Sequence, residues 1–203
     1  MTFLYKVLEH VPPPPQSIID AVDRNHRPTS DEMDVGYYHE RHLKNWYGYD
    51  FAAGINIRIK NAELERWCKQ NITRHIVDCG TNYVNYKEPM GRPTSTGAHT
   101  DGIREYVMLW DIELGGPDAE LNFWQEKGQP LLRPPKTQGE NLTQLEFIDK
   151  IRLPRGHWTL INTTVLHSVE NLISTRIGLH ISLLNKLAVE TIQGIGDTSF
   201  LKD

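Results

Sequence analysis

Two rhythms of apolar residues divide the chain. Near the start, "VPPPPQSIIDAVDR" reads as a stiff proline run leading into a helix. "NAELERWCKQNI" follows, with Asn61 placed as an N-cap and Leu64, Trp67, Cys68 and Ile72 at i, i+3, i+4 and i+8. That spacing makes one apolar stripe, which needs a sheet to cover. From about residue 75 the pattern changes to short runs rich in β-branched and aromatic residues: "TNYVNY", "REYVMLWDIEL", "LNFWQE", "LEFIDKIRL", "HWTLIN", "TVLHSV" and "RIGLHISL". Between them stand "MGRPTSTG", "GGPDAE", "RPPKTQGENLTQ" and "PRGH", all turn formers.

Roughly seven or eight short strands after a helical start predict a mainly β fold with N-terminal helices, a β-sandwich or open barrel with helices packed on one sheet. The expected division is a helical part over about 1–74, a β core over about 75–185 and a C-terminal tail over about 186–203. The stretch from Arg133 to Gln144 is long for a hairpin connection and is a candidate lid.

Composition narrows the class without changing that picture. With 203 residues, 38% of them hydrophobic, there is material for one sizeable core, and no shift in composition splits the chain, so a single domain over 1–203 is expected. "MTFLYKVLEHVPPPPQS" has no basic start followed by a long apolar run, and no later stretch is apolar enough to span a bilayer. The expectation is a soluble, cytoplasmic protein without a membrane partner. Cys68 and Cys79 lack C-x-x-C spacing and read as buried, reduced thiols. Sequons at Asn71, Asn141 and Asn162 have no secretory route to modification and read as chance. A net charge of −4 and a pI near 6.1 argue against a broad phosphate-binding surface, so nucleic acid is not favoured as a partner.

Candidate chemistry begins at "GAHTDGIREY". With 9 histidines in the chain, an H-x-D pair arises readily by chance, so His99 and Asp101 alone are weak evidence. On an extended segment, however, residues i and i+2 share a face and could offer an imidazole and a carboxylate to one ion. His167, in the strand-like "TVLHSVEN", is the third candidate. Two His and one carboxylate with the remaining positions open is the ligand set suited to non-haem Fe(II) used for oxygen chemistry. In "RIGLHISL", Arg176, Gly178, His180 and Ser182 would share one face and Ile177, Leu179, Ile181 and Leu183 the other. Arg176 has the planar fork that matches a carboxylate, and Gly178 beside it leaves room for a small dicarboxylate.

The H-T-D at 99–101, "LHSV" around His167 and Arg176 nine residues after that His resemble the Fe(II)/2-oxoglutarate-dependent oxygenases of the prolyl-hydroxylase-like kind, over roughly residues 75–185. "LPRGHWTLINTTVLHSVEN" is similar to that family's approach to its distal histidine. The resemblance implies a double-stranded β-helix, also called a jelly-roll or cupin-like fold. It also implies that His99, Asp101 and His167 are catalytic and bind iron, while Arg176 binds the distal carboxylate of 2-oxoglutarate. Tyr86 sits where relatives often carry a tyrosine near the co-substrate. Gly178 departs from the pattern, since plant-type relatives have Ser two residues after the Arg, and this leaves one hydrogen bond to be supplied by Tyr83 or Tyr86. The implied reaction consumes O2 and 2-oxoglutarate, with ascorbate as a further candidate cofactor, yields succinate and CO2, and hydroxylates an amino acid, a protein or peptide side chain, or a small molecule.

Blander readings stand beside these. A hydrogen-bonded turn would explain His99 and Asp101, a surface salt bridge Arg176, and a satisfied core position His180. His39 and His42 are spaced to meet on a helix, yet no third ligand follows, so a solvated face is expected there. Tyr83 and Tyr86 share one side of a strand only if a bulge intervenes. The rival functions are a cupin-like metal-binding module or sensor without turnover, which would have no need of Arg176, and a zinc hydrolase, which would need a general base that no Glu is spaced to provide.

Overall fold

The computed structural model describes residues 3–26, 56–84, 96, 98–101, 104–132 and 144–201, with the backbone alone at 56 and 57. Among these residues nine strands form: β1 (Tyr5–Leu8), β2 (Asn56–Lys60), β3 (Asp78–Val84), β4 (Tyr106–Leu114), β5 (Glu120–Glu126), β6 (Leu145–Ile151), β7 (Trp158–Asn162), β8 (Leu166–Glu170) and β9 (Arg176–Leu183). Among the described residues the helices are α1 (Gln16–Asp20), α2 (Ala62–Asn71) and α3 (Lys186–Glu190), followed by a 3₁₀ turn at Ser199–Leu201. The strands form a six-stranded sheet in the order β1-β7-β4-β9-β3-β2 and a three-stranded sheet in the order β6-β5-β8, and every pairing is antiparallel.

Each strand of the β core lies within or close to a run that the sequence marks as strand-like. The N-terminal part departs from expectation, because it supplies two edge-side strands as well as helix. β1 pairs with β7, Tyr5 opposite Ile161, and β2 pairs with β3, Ile57 opposite Tyr83. Both are four- or five-residue segments, too short for a clear period-two signal. The C-terminal segment is also more than a tail: Val189, Ile192 and Leu201 are buried in the same core as α2.

Two hydrophobic clusters lie on opposite faces of the six-stranded sheet. One packs Met108, Trp110, Leu160 and the Ile177, Leu179, Ile181 and Leu183 face of β9 against Ile18 of α1, Leu64 and Cys68 of α2, and Val189 of α3. The other lies between the sheets and joins Val84, Val107 and Ile161 to Leu121, Phe123, Val165 and Val169. The alternation of side chains along each strand therefore sorts residues into a helix-covered core and an inter-sheet core.

α2 forms as its sequence suggests. The Asn61 side chain accepts hydrogen bonds from the backbone N–H groups of Glu63 and Leu64 at 3.1 and 2.9 Å, meeting two of the donors that a helix start leaves unpaired. Leu64 and Cys68 are fully buried, and the cysteines are reduced and buried. At the N-terminus, the Trp158 indole donates to the Pro12 carbonyl at 2.9 Å, which pins the proline run onto β7. No helix among the described residues is long and apolar enough to cross a membrane.

Candidate metal centre

His99 is not part of a long strand. It forms an isolated antiparallel bridge with His167 of β8, in which each backbone N–H donates to the other residue's carbonyl, at 3.0 and 2.9 Å. This exchange of two bonds sets the residues directly opposite each other and brings their rings to 4.6 Å between centroids. The Asp101 N–H donates to the Thr163 carbonyl at 3.1 Å, which fixes the chain two residues on. The bridge thus does the work that the sequence assigned to a strand. One ligand atom from each of His99, Asp101 and His167 lies within 4.8 Å of the others, with His99 Nε2 4.0 Å from Asp101 Oδ1. Two imidazole nitrogens and one carboxylate oxygen converging in this way fit a divalent transition metal.

The surroundings hold His167 and Asp101 in ligating form. His167 Nδ1 lies 2.9 Å from the Val165 carbonyl, a contact in which Nδ1–H donates and Nε2 keeps its lone pair. Burial, reinforced by the neighbouring His99, brings the His167 pKa down to about 4, so the ring is neutral near pH 7. For Asp101, burial alone would raise the pKa. Arg104, His167, Arg58 and His99 together outweigh it and hold the carboxyl well below the usual range. Arg104 matters most among them. Buried itself, it donates from Nε to Asp101 Oδ2 at 2.7 Å and from Nη1 to Ser182 Oγ at 2.5 Å, while its carbonyl accepts from Thr163 Oγ1. One carboxylate oxygen is thereby occupied, and Oδ1 remains on the His99 side.

The three ligand candidates line one cavity between the sheets together with Arg176 and Gly178. Its floor is a row across four strands of the large sheet: Arg58 stands opposite Asn82, Asn82 opposite Gly178, and Gly178 opposite Asp111. Gly178 leaves a recess in that row. A Cβ there would come within 2.9 Å of the Trp110 carbonyl oxygen, so the close approach of β4 also requires glycine. Arg176 is buried and paired with Asp111, its Nε and Nη2 donating to Oδ1 at 3.3 and 3.1 Å.

The remaining candidates separate from this site. Tyr83 does not face the cavity. It alternates with the cavity-lining Asn82 and Val84, so its ring is buried in the helix-covered core, 4.9 Å from the His26 ring. It therefore cannot supply the hydrogen bond left open by Gly178. Tyr86, His39, His42 and all of the candidate lid from Arg133 to Gln144 except Gln144 itself lie outside the described residues. His180 is buried, with Nε2 3.0 Å from Asp78 Oδ2, and is a core position.

Arg104, Asn82 and Asp111 are the site residues that sequence reasoning missed. Asp111 had a visible signal: it is a lone carboxylate inside the apolar run "VMLWDIEL".

No protein-family model matches the chain, and no curated protein matches it. Among solved structures, the chain is similar to a hydroquinone 1,2-dioxygenase determined with Cd2+ and 4-hydroxybenzonitrile, at 7% identity and a TM-score of 0.35, over 83% of this chain and 86% of that one.

Proposed function

We propose that the protein is an Fe(II)- and 2-oxoglutarate-dependent dioxygenase built on a double-stranded β-helix, hydroxylating a small molecule or a peptide side chain in the cytoplasm. The observation that carries this reading is the convergence of His99, Asp101 and His167 on a cavity that Arg176 also lines. Three protein ligands on one side leave positions for a co-substrate and a gas, as oxygen chemistry requires. A metal holder without turnover has no use for a buried guanidinium facing the same cavity. When bound, Fe(II) supplies dioxygen activation coupled to the conversion of 2-oxoglutarate to succinate and CO2.

The chain's own contribution is placement. His99 and Asp101 come from the segment before β4, His167 comes from β8, and Arg104 keeps Asp101 turned so that one oxygen faces the ligand side. Arg176 offers N–H donors to the distal carboxylate of the co-substrate, and Val107, Leu109, Leu121, Ile161 and Val169 line the cavity with apolar surface that limits water.

Anaerobic addition of Fe(II) and 2-oxoglutarate should produce the weak visible absorption band of a metal-bound 2-oxo acid, and admission of air should release succinate. Absence of both the band and succinate rejects the reading. Arg176→Met should weaken 2-oxoglutarate binding while Fe(II) still binds. Equal loss of both would mean that Arg176 does not hold the co-substrate.

A further inference from the structure

The floor of the cavity contains a second carboxyl group that the reading above does not use. Asp111 is buried and lines the cavity, and only its Oδ1 is engaged by Arg176, through two contacts longer than the 2.7–2.9 Å usual for charge-assisted pairs. Its Oδ2 is fully buried and has no hydrogen-bond partner. Leaving such an atom unmet is costly, more so where the group is charged, so an unpartnered oxygen in a carboxyl group that lines an open cavity signals a missing partner. The recess at Gly178 is flanked by Asp111 on one side and by Asn82, whose Oδ1 is also unpartnered, on the other.

A ligand carboxylate seated on Arg176 would therefore share that guanidinium with Asp111. Two carboxylates facing one cation in a dry site do not both stay ionised, because repulsion at this range is removed most cheaply by one proton held between them. We propose that a carboxylate docked on Arg176 binds as a proton-sharing pair with Asp111, with one proton taken from solvent and held between the Asp111 carboxyl group and the ligand.

This rests on the reading of Arg176 as the co-substrate clamp, and it makes Asp111 a specificity-determining residue. The site selects a carboxylic acid end group, and Asp111 supplies the donor that no side chain at Gly178 can. Among the described residues, the charged groups acting on Asp111 are Arg176 on β9 and, more weakly, Arg155 in the turn before β7. Arg58 stands on the far side of the floor row, Arg104, Asp101, His99 and His167 close the metal end, and the small sheet opposite also presents apolar Leu121 and Val169. Burial pushes the Asp111 carboxyl upward against the pull of Arg176, in keeping with a group ready to hold a proton.

The experiment is calorimetric titration of 2-oxoglutarate into the Zn(II)-loaded protein between pH 6 and 9, in paired buffers of different ionisation enthalpy. Wild type should take up a growing fraction of one proton per ligand as pH rises, its affinity falling by up to about tenfold per pH unit. Asp111→Asn, which donates a hydrogen bond without charge, should bind with no proton uptake and a flat pH profile. The buffer comparison on wild type stands alone should that variant fold poorly. Proton-neutral binding that still requires Arg176, judged by its loss in Arg176→Met, overturns the proposal and leaves the co-substrate reading intact. Binding indifferent to Arg176, or no binding at all, overturns both.

Discussion

The two faces of β9 are buried alike and differ in what they bury. Ile177, Leu179, Ile181 and Leu183 enter the helix-covered core, whereas Arg176, His180 and Ser182 are enclosed on the other side, where Asp111 accepts from Arg176, Asp78 bonds His180 Nε2 and Arg104 donates to Ser182. On the first face stability follows from apolar area removed from water. On the second, charge removed from water is merely compensated, and a buried ion pair is weak evidence of net stability. The helix side thus holds the sheet, and the cavity side uses that rigidity to keep charged groups where water would otherwise scatter them.

Three experiments press on this contrast. The largest effect is expected from Leu179→Ala on the helix side, which should destabilise the protein by about 2–5 kcal/mol in denaturant titration. Metal affinity of the fraction still folded should be unchanged, and a parallel loss would mean that the two faces are not separable. On the cavity side, Arg104→Met should weaken metal binding of the folded protein roughly 10–100-fold, as removal of a group that orients a ligand does. Metal affinity within a factor of two of wild type would deny Arg104 its positioning role.

The smallest effect is in pH. His180, buried among Arg104 and Arg58 but bonded to Asp78, is held down to about 4 from 6.5, burial being the largest cause. Asp78 is correspondingly lowered to about 2, chiefly by that hydrogen bond. Because the folded value lies below the unfolded one, the unfolded chain takes up the proton first as pH falls. The stabilisation is therefore complete above about pH 6.5 and is lost on acidification toward pH 4. Between pH 7 and 5.5 the metal-free protein should lose about 1 kcal/mol from His180, and His180→Gln should show a shallower decline in Tm over that range. An identical slope in the variant would place the acid sensitivity elsewhere.

Much of this division was legible in the chain. The alternation in "RIGLHISL" assigned both faces of β9, and the stripe from Leu64 to Ile72 with its Asn61 cap anticipated α2, because both patterns are local and periodic. His99, Asp101 and His167 were legible as a set through residue type and spacing, and the structure brings them together. What was hidden depends on pairing across strands. Arg104 is buried against Asp101 with its other end bonded to Ser182, far along the chain. Tyr83 was misplaced because the choice between two faces of β3 depends on register, and its alternation with Asn82 turns it toward the helices. Asp111 looked like an interruption in an apolar strand until Gly178 proved to be its neighbour.

The chain leaves the large sheet at the end of β7 and enters the small one at β8 through a turn at Thr163 and Thr164, and that turn receives the Asp101 N–H. The three ligand candidates therefore belong to segments that meet only once the two sheets have docked. An ion that requires all three has no partner in a half-assembled chain, so its binding energy falls on the native side of the folding barrier. Added metal would then slow unfolding while leaving the refolding rate nearly untouched, and occupancy of the centre would time the last closure of the sandwich.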